Sequence, residues 1–176
     1  MGVIFDLDQT LVDSSIAAEE RRKRNWGKVY SLIPNFKVFE GINDIIQLLK
    51  ENNIPICIVT SSPRSYCKRV VEYFGWYDIE LVCYHDTKNK KPHKEPIEKG
   101  IEKLGVNKES IISIGDDIKD VIASNEAGIT SIAVTWGLND NYEFKDADYI
   151  FNNVSELMEY ICEKYMINLS VGSYKL

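Results

Sequence analysis

The apolar positions of this chain follow two patterns that take turns along it. Continuous apolar runs occur at residues 2–5, 54–59, 111–114 and 130–134, with a weaker one at 80–84. A run without polar alternation predicts a strand covered on both faces. Residues 148–151 predict a short edge strand. Between the runs, apolar residues recur every three or four positions. Ile42, Ile45, Ile46, Leu48 and Leu49 form one such face, and Tyr66, Val70, Val71 and Phe74 another. Ile97, Ile101 and Leu104, then Ile118, Val121, Ile122 and Ala127, then Val154, Leu157, Met158 and Ile161 complete the series. Each face predicts an amphipathic helix. Gly75, Gly105 and Gly128 follow three of them, where a helix stop is expected. Strands alternating with helices predict an α/β fold, a three-layer, doubly wound parallel sheet of Rossmann-like type with right-handed crossovers.

Residues 14–36 interrupt this alternation. They hold the basic run Arg21-Arg22-Lys23-Arg24, followed by Trp26, Tyr30, Ile33 and Phe36. They read as a short helix and a loop inserted above the sheet. No interdomain linker or repeat is visible, so residues 1–176 read as one domain carrying this small insert.

Composition changes the picture mainly by exclusion. The chain has 176 residues with 44% hydrophobic and 27% charged, an ordinary globular profile. Its formal charge is −6, which argues against nonspecific nucleic-acid or anionic-membrane binding. That charge is uneven: residues 1–115 carry 17 bases and 16 acids, and residues 116–176 carry 4 and 11. No apolar run approaches the roughly 20 residues that span a bilayer. The four cysteines are scattered and the two histidines isolated, which argues against a disulfide scaffold or a structural zinc site. This usage, with no signal-peptide pattern, leads to an expected cytoplasmic location. A metal would then be held by oxygen, which favours magnesium.

In open α/β sheets, ligands bind at the carboxyl ends of the strands. Asp6 and Asp8 stand at the first such end, where a turn brings both to one cavity. Thr60 and Ser61 stand at the second, Lys91 lies in the loop after the third, and Asp116 and Asp117 follow the fourth. Clustered carboxylates repel each other unless a divalent cation sits among them. A lysine and a hydroxyl beside that cation suit phosphoryl oxygens. One carboxylate can attack phosphorus while a second moves the proton.

These segments resemble the motifs of the haloacid dehalogenase (HAD) superfamily of phosphohydrolases. Residues 6–14, Asp6-Leu7-Asp8-Gln9-Thr10-Leu11-Val12-Asp13-Ser14, are similar to its first motif. Val59-Thr60-Ser61 resembles the second, and Lys91-Pro92-His93-Lys94-Glu95-Pro96 the third. Gly115-Asp116-Asp117-Ile118-Lys119-Asp120 resembles the fourth, and the likeness covers residues 2–165. It implies a phosphatase acting on a phosphomonoester, with Asp6 as nucleophile and Asp8 as general acid/base. It also implies Thr60, Ser61 and Lys91 as phosphate holders, and Mg²⁺ on Asp6, the backbone carbonyl of Asp8, and Asp116. Asp120 and Asp117 support the site. An acid at Asp8 favours phosphoryl chemistry over dehalogenation. Gln9 departs from the pattern, where glycine is common, and so does Lys94, where proline is frequent.

The same resemblance leaves a phosphotransferase, a mutase or a non-catalytic binding module as alternatives. Gln9, Ser14, Arg21, Arg22, Arg24 and Arg64 are the candidate substrate contacts. The expected substrate is a small phosphorylated metabolite or the phosphorylated end of a macromolecule. A second subunit completing the cap is one way to cover the site. Some residues have plainer expected roles: Asp117 a helix start, Ser61 or Ser62 a helix cap, His93 a loop residue, and Trp136 packing.

Overall fold

The computed structural model describes residues 1–137 and 143–167. Its main sheet has six parallel strands: β1 (Gly2–Phe5), β4 (Ile56–Val59), β5 (Glu80–Val82), β6 (Ile111–Gly115), β7 (Thr130–Val134) and β8 (Tyr149–Phe151). Their order is β5-β4-β1-β6-β7-β8. The chain first builds outward from β1 through β4 to β5, then returns to the other side of β1. That reversal opens a crevice at the carboxyl end of β1. β1 is fully buried and pairs on both sides, Val3 with Ile56 and Ile4 with Ser113. The apolar run therefore marks a central strand. At the other end, β8 is largely exposed and, among the described residues, pairs only with β7, as an edge strand should.

Five helices cover the sheet: α3 (Ile42–Glu51), α4 (Arg64–Tyr73), α5 (Glu95–Leu104), α6 (Ile118–Ala127) and α7 (Val154–Tyr165). Val3 and Phe5 pack with α3, α4 and α7 in the larger core cluster. Ile4, between them, packs on the opposite face with α5 and α6. Each buried aliphatic side chain of α3 contributes about 1.5–3 kcal/mol of burial. Gly105 and Gly128 close α5 and α6 in the left-handed conformation, which costs glycine nothing. No helix among the described residues is long and apolar enough to cross a membrane.

The insert differs in detail from the expected helix and loop. It contains α1 (Ala18–Arg22) and α2 (Trp26–Leu32), each flanked by a 3₁₀ turn. Its base is a two-stranded antiparallel ribbon, β2 (Val12–Asp13) with β3 (Lys37–Val38). Two-residue strands lie below what periodicity can signal. Ala17, Val29, Ile33 and Phe36 bury into the same cluster as the sheet, so the insert is packed onto the core. A second difference lies at α4. Its N-cap is Pro63 with no side-chain cap bond, because the Ser62 hydroxyl is turned into the site instead.

Candidate active site

The β1 ladder runs into the site. The Asp6 N–H still donates to the Ile114 carbonyl at 2.8 Å, and the chain turns immediately after. Leu11 and Val12 donate to the Leu7 carbonyl, closing that turn. It requires Gln9 at φ 68°, a left-handed conformation that glycine adopts more easily. With the Gln9 amide oriented to suit its neighbours, it donates to the Gly137 carbonyl (2.6 Å) and accepts from the Ser15 N–H (2.9 Å). Gln9 is thus a buried brace of the turn and does not line the cavity.

Two carboxylates reach one cavity from this turn, with different surroundings. Asp6 faces Lys91, whose ammonium is 2.7 Å from Asp6 Oδ1, 2.5 Å from Asp120 Oδ1 and 2.9 Å from the Val59 carbonyl. Asp8 faces the other way. Its Oδ1 accepts from Ser14 Oγ (2.6 Å) and Tyr66 Oη (2.5 Å), its Oδ2 accepts from Ser62 Oγ (2.8 Å), and Arg21 pairs with Oδ1. The Arg21 guanidinium also lies 6.0 Å from the centre of the Tyr66 ring.

The fourth segment follows from helix-start chemistry. Asp117 is the N-cap of α6, and its carboxylate accepts from the Lys119 N–H at 2.9 Å. Asp120 Oδ2 accepts in return from the Asp117 N–H at 3.1 Å. This reciprocal box holds Asp120 where Lys91 meets it. A Cβ at Gly115 would run into the Asp120 carboxyl, so glycine there is a matter of space. Asp116 Oδ1 accepts from the buried Thr10 hydroxyl at 2.8 Å.

Burial raises Asp6 well above the carboxylate range; Lys91 opposes this, and Asp120 and Asp116 add to it. Burial and the Asp120 charge push Asp116 up to about 7, with the Thr10 hydrogen bond working against the shift. Burial disfavours the Lys91 ammonium, but the Asp120 and Asp6 carboxylates overcome it and hold it charged. Oxygen atoms of Asp6, Asp116 and Asp120 lie within 4.8 Å of one another. Three crowded carboxylates, two of them pushed toward protonation, fit a hard divalent cation. The Asp8 side chain is not among them.

The cavity encloses about 810 Å³. Thr60 and the exposed Ser61 line it beside Lys91, and Thr60 Oγ1 accepts from the Ser62 N–H at 3.1 Å. Arg21, Arg22, Arg24 and Trp26 of the insert form the facing wall. The other two candidate contacts lie elsewhere. Ser14 is fully buried and braces Asp8. Arg64 pairs with Asp86 and donates to the Leu81 carbonyl at 3.0 Å, away from the cavity. His93 accepts from the Glu95 N–H at 3.1 Å in an exposed loop, and Trp136 donates to the Thr10 carbonyl at 3.0 Å.

Sequence reasoning gave no site role to Thr10, Ser62 or Tyr66, and read Ser62 only as an alternative cap for the helix that follows. Tyr66 read simply as part of an apolar helix face. Its phenol was the available signal, since a fully buried tyrosine hydroxyl requires a partner.

A parallel sheet ending in this set of acids, hydroxyls and one buried lysine defines a hydrolase of the HAD type. The profile of the haloacid dehalogenase-like hydrolase family matches residues 18–134, and the chain belongs to that family. Among its relatives, pyrophosphatase PpaX of Halalkalibacterium halodurans is 28% identical over 160 residues, covering 88% of this chain and 72% of that protein. Phosphoglycolate phosphatase of Escherichia coli K12 is 27% identical over 158 residues, covering 84% and 62%. The chain spans about three fifths of the length of several other curated relatives it matches. A solved structure of a predicted phosphatase from Clostridium acetobutylicum superposes with a TM-score of 0.76 at 26% identity, covering 92% of this chain and 97% of the other.

Proposed function

We propose that this protein is a magnesium-dependent phosphatase that hydrolyses a phosphomonoester through an aspartyl-phosphate on Asp6. The observation that carries the reading is the division of labour after β1. Asp6 sits with Lys91 and the acidic cluster, while Asp8 is held apart by Ser14, Ser62 and Tyr66. This separation supports a reading in which one carboxylate attacks and the other moves the proton. The phosphatase names of the relatives support the same chemistry.

Lys91 and the Thr60–Ser61 segment hold the non-bridging phosphoryl oxygens. An Asp6 oxygen bonds to phosphorus as the ester P–O bond breaks, and Asp8 gives its proton to the departing oxygen. Water then attacks phosphorus, Asp8 takes its proton, and Asp6 leaves as a carboxylate with inorganic phosphate released. Asp6, Asp116 and the backbone carbonyl of Asp8 would hold Mg²⁺, with Asp120 in support. The metal supplies charge neutralisation for the attacking carboxylate and the phosphoryl oxygens. The substrate is a phosphorylated metabolite or a phosphorylated macromolecular end.

The test is release of phosphate from an aryl phosphate with and without Mg²⁺, by the native protein and Asp6→Asn. Native, metal-dependent release that vanishes in the variant is expected. Full activity of Asp6→Asn would sink the assignment.

A further inference from the structure

The cavity wall carries five carboxylates and five cationic side chains, and ion pairs account for most of them. Lys91 pairs with Asp6 and Asp120, Arg21 with Asp8, and Lys119 lies 3.7 Å from Asp117. Arg22 and Arg24 remain. Among the described residues, neither guanidinium has an ion-pair or hydrogen-bond partner. The acids of α1, which carries Arg22 and ends just before Arg24, are engaged elsewhere: Glu19 pairs with Lys23 at 2.6 Å, and Glu20 accepts from Asn25 at 2.7 Å.

The backbone adds an independent observation. Arg24 has φ 56°, in the left-handed region that costs a non-glycine residue about 1–2 kcal/mol. The turn is fixed there, with the Arg24 N–H on the Arg21 carbonyl (2.9 Å) and the Trp26 N–H on the Arg24 carbonyl (3.0 Å). Glycine or asparagine would relieve that strain. The chain places an arginine there instead, on the wall of the cavity.

We propose that Arg22 and Arg24 form a second anion subsite, which takes a distal carboxylate or phosphate of a small substrate. The inference rests on the reading of the Asp6 end as the site of the reacting phosphate. A guanidinium forms bidentate hydrogen bonds with either anion. The cavity of about 810 Å³ lies within the range of about 300–1,000 Å³ typical of small-molecule sites. The substrate class is therefore a doubly anionic small molecule: a bisphosphate or a phosphorylated carboxylic acid.

Calorimetry of the full chain with Mg²⁺ tests this using ligands that are not hydrolysed. Alkyl phosphonates bearing one anionic group are compared with bisphosphonates and ω-carboxyalkyl phosphonates of increasing length. At one chain length the distal anion tightens binding tenfold or more. That gain disappears in Arg22→Ala/Arg24→Ala and returns in part in Arg22→Lys/Arg24→Lys. Equal affinity for singly and doubly anionic ligands overturns the subsite, as does a gain that survives the alanine substitutions. So does tighter binding of a 5′-phosphorylated oligonucleotide than of every small dianion. Phosphatase turnover, measured separately, keeps the two readings apart. Turnover without the gain removes the subsite alone, and the gain without turnover removes the phosphatase reading alone.

Discussion

Lys91 Nζ stands 2.7 Å from Asp6 Oδ1, and the two side chains are only 6% and 12% exposed. A buried pair of this kind is costly to break, because removing one partner leaves the other charge uncompensated. Lys91→Ala leaves Asp6, Asp116 and Asp120 together with no cation. The metal-free variant is expected to lose about 3–5 kcal/mol of stability in denaturant titration. Its phosphatase kcat is expected to fall by roughly 10²–10³-fold, as for loss of a preorganised oxyanion donor.

At the proposed Mg²⁺ site, Asp116 should make metal binding depend on pH. Its carboxyl titrates at about 7 in the folded protein and near 4 when unfolded. The native state therefore holds an extra proton between these values, and metal-free stability falls as pH rises from about 4 to about 7. Mg²⁺ must displace that proton. Asp116 alone should make affinity rise up to about tenfold per pH unit below 7, and the raised Asp6 carboxyl adds to that slope. Titration calorimetry across pH 5.5–8.5 checks this, and Asp116→Asn should flatten the slope and remove most of the binding.

The Asp8 brace separates geometry from fold. Tyr66→Phe keeps the ring that packs against Trp26 and Phe36 but deletes the 2.5 Å hydrogen bond to Asp8. A hydrogen bond to a charged group contributes about 1.5–3 kcal/mol. The expected result is a kcat loss of about tenfold or more with a smaller change in KM. Equal loss in both, or none in either, would show that the phenol does not position Asp8.

Gly115→Ala probes the acidic cluster by volume. The added methyl must displace Asp120, which carries both the Lys91 pair and the α6 capping box. Expected outcomes are weaker Mg²⁺ binding and a stability loss of about 2–4 kcal/mol, the scale of an overpacked, unpaired site. Asp117→Ala, which removes the cap and the exposed Lys119 pair, should cost about 1 kcal/mol.

The legible part of this protein was whatever repeats or runs. β1, β4, β6 and β7 are buried on both faces, so their apolar runs carried the sheet directly. The residues placed at strand ends then followed, including Lys91 among its neighbours Lys88, Lys90 and Lys94. The illegible part depended on side-chain direction. Nothing in sequence order says that Arg64 turns to Asp86 while Arg21 turns to Asp8. Nor does it say that Ser62 leaves its helix uncapped to reach the same carboxylate. The ribbon of β2 and β3 was too short to leave a pattern.

The central placement of β1 also sets a timetable. Asp6 is made before the strands that flank β1, which come from residues 56–59 and 111–115. Thr10 waits for Asp116, 106 positions later, and Gly2 accepts from Tyr165, 163 positions later. Parallel pairing over such separations is slow and leaves strand edges open meanwhile. On a ribosome, synthesis and assembly therefore run in opposite order. The strand that leads into Asp6 precedes its sheet partners in the chain and is enclosed only after they are made, so the cavity cannot assemble until Asp120 has cleared the exit tunnel.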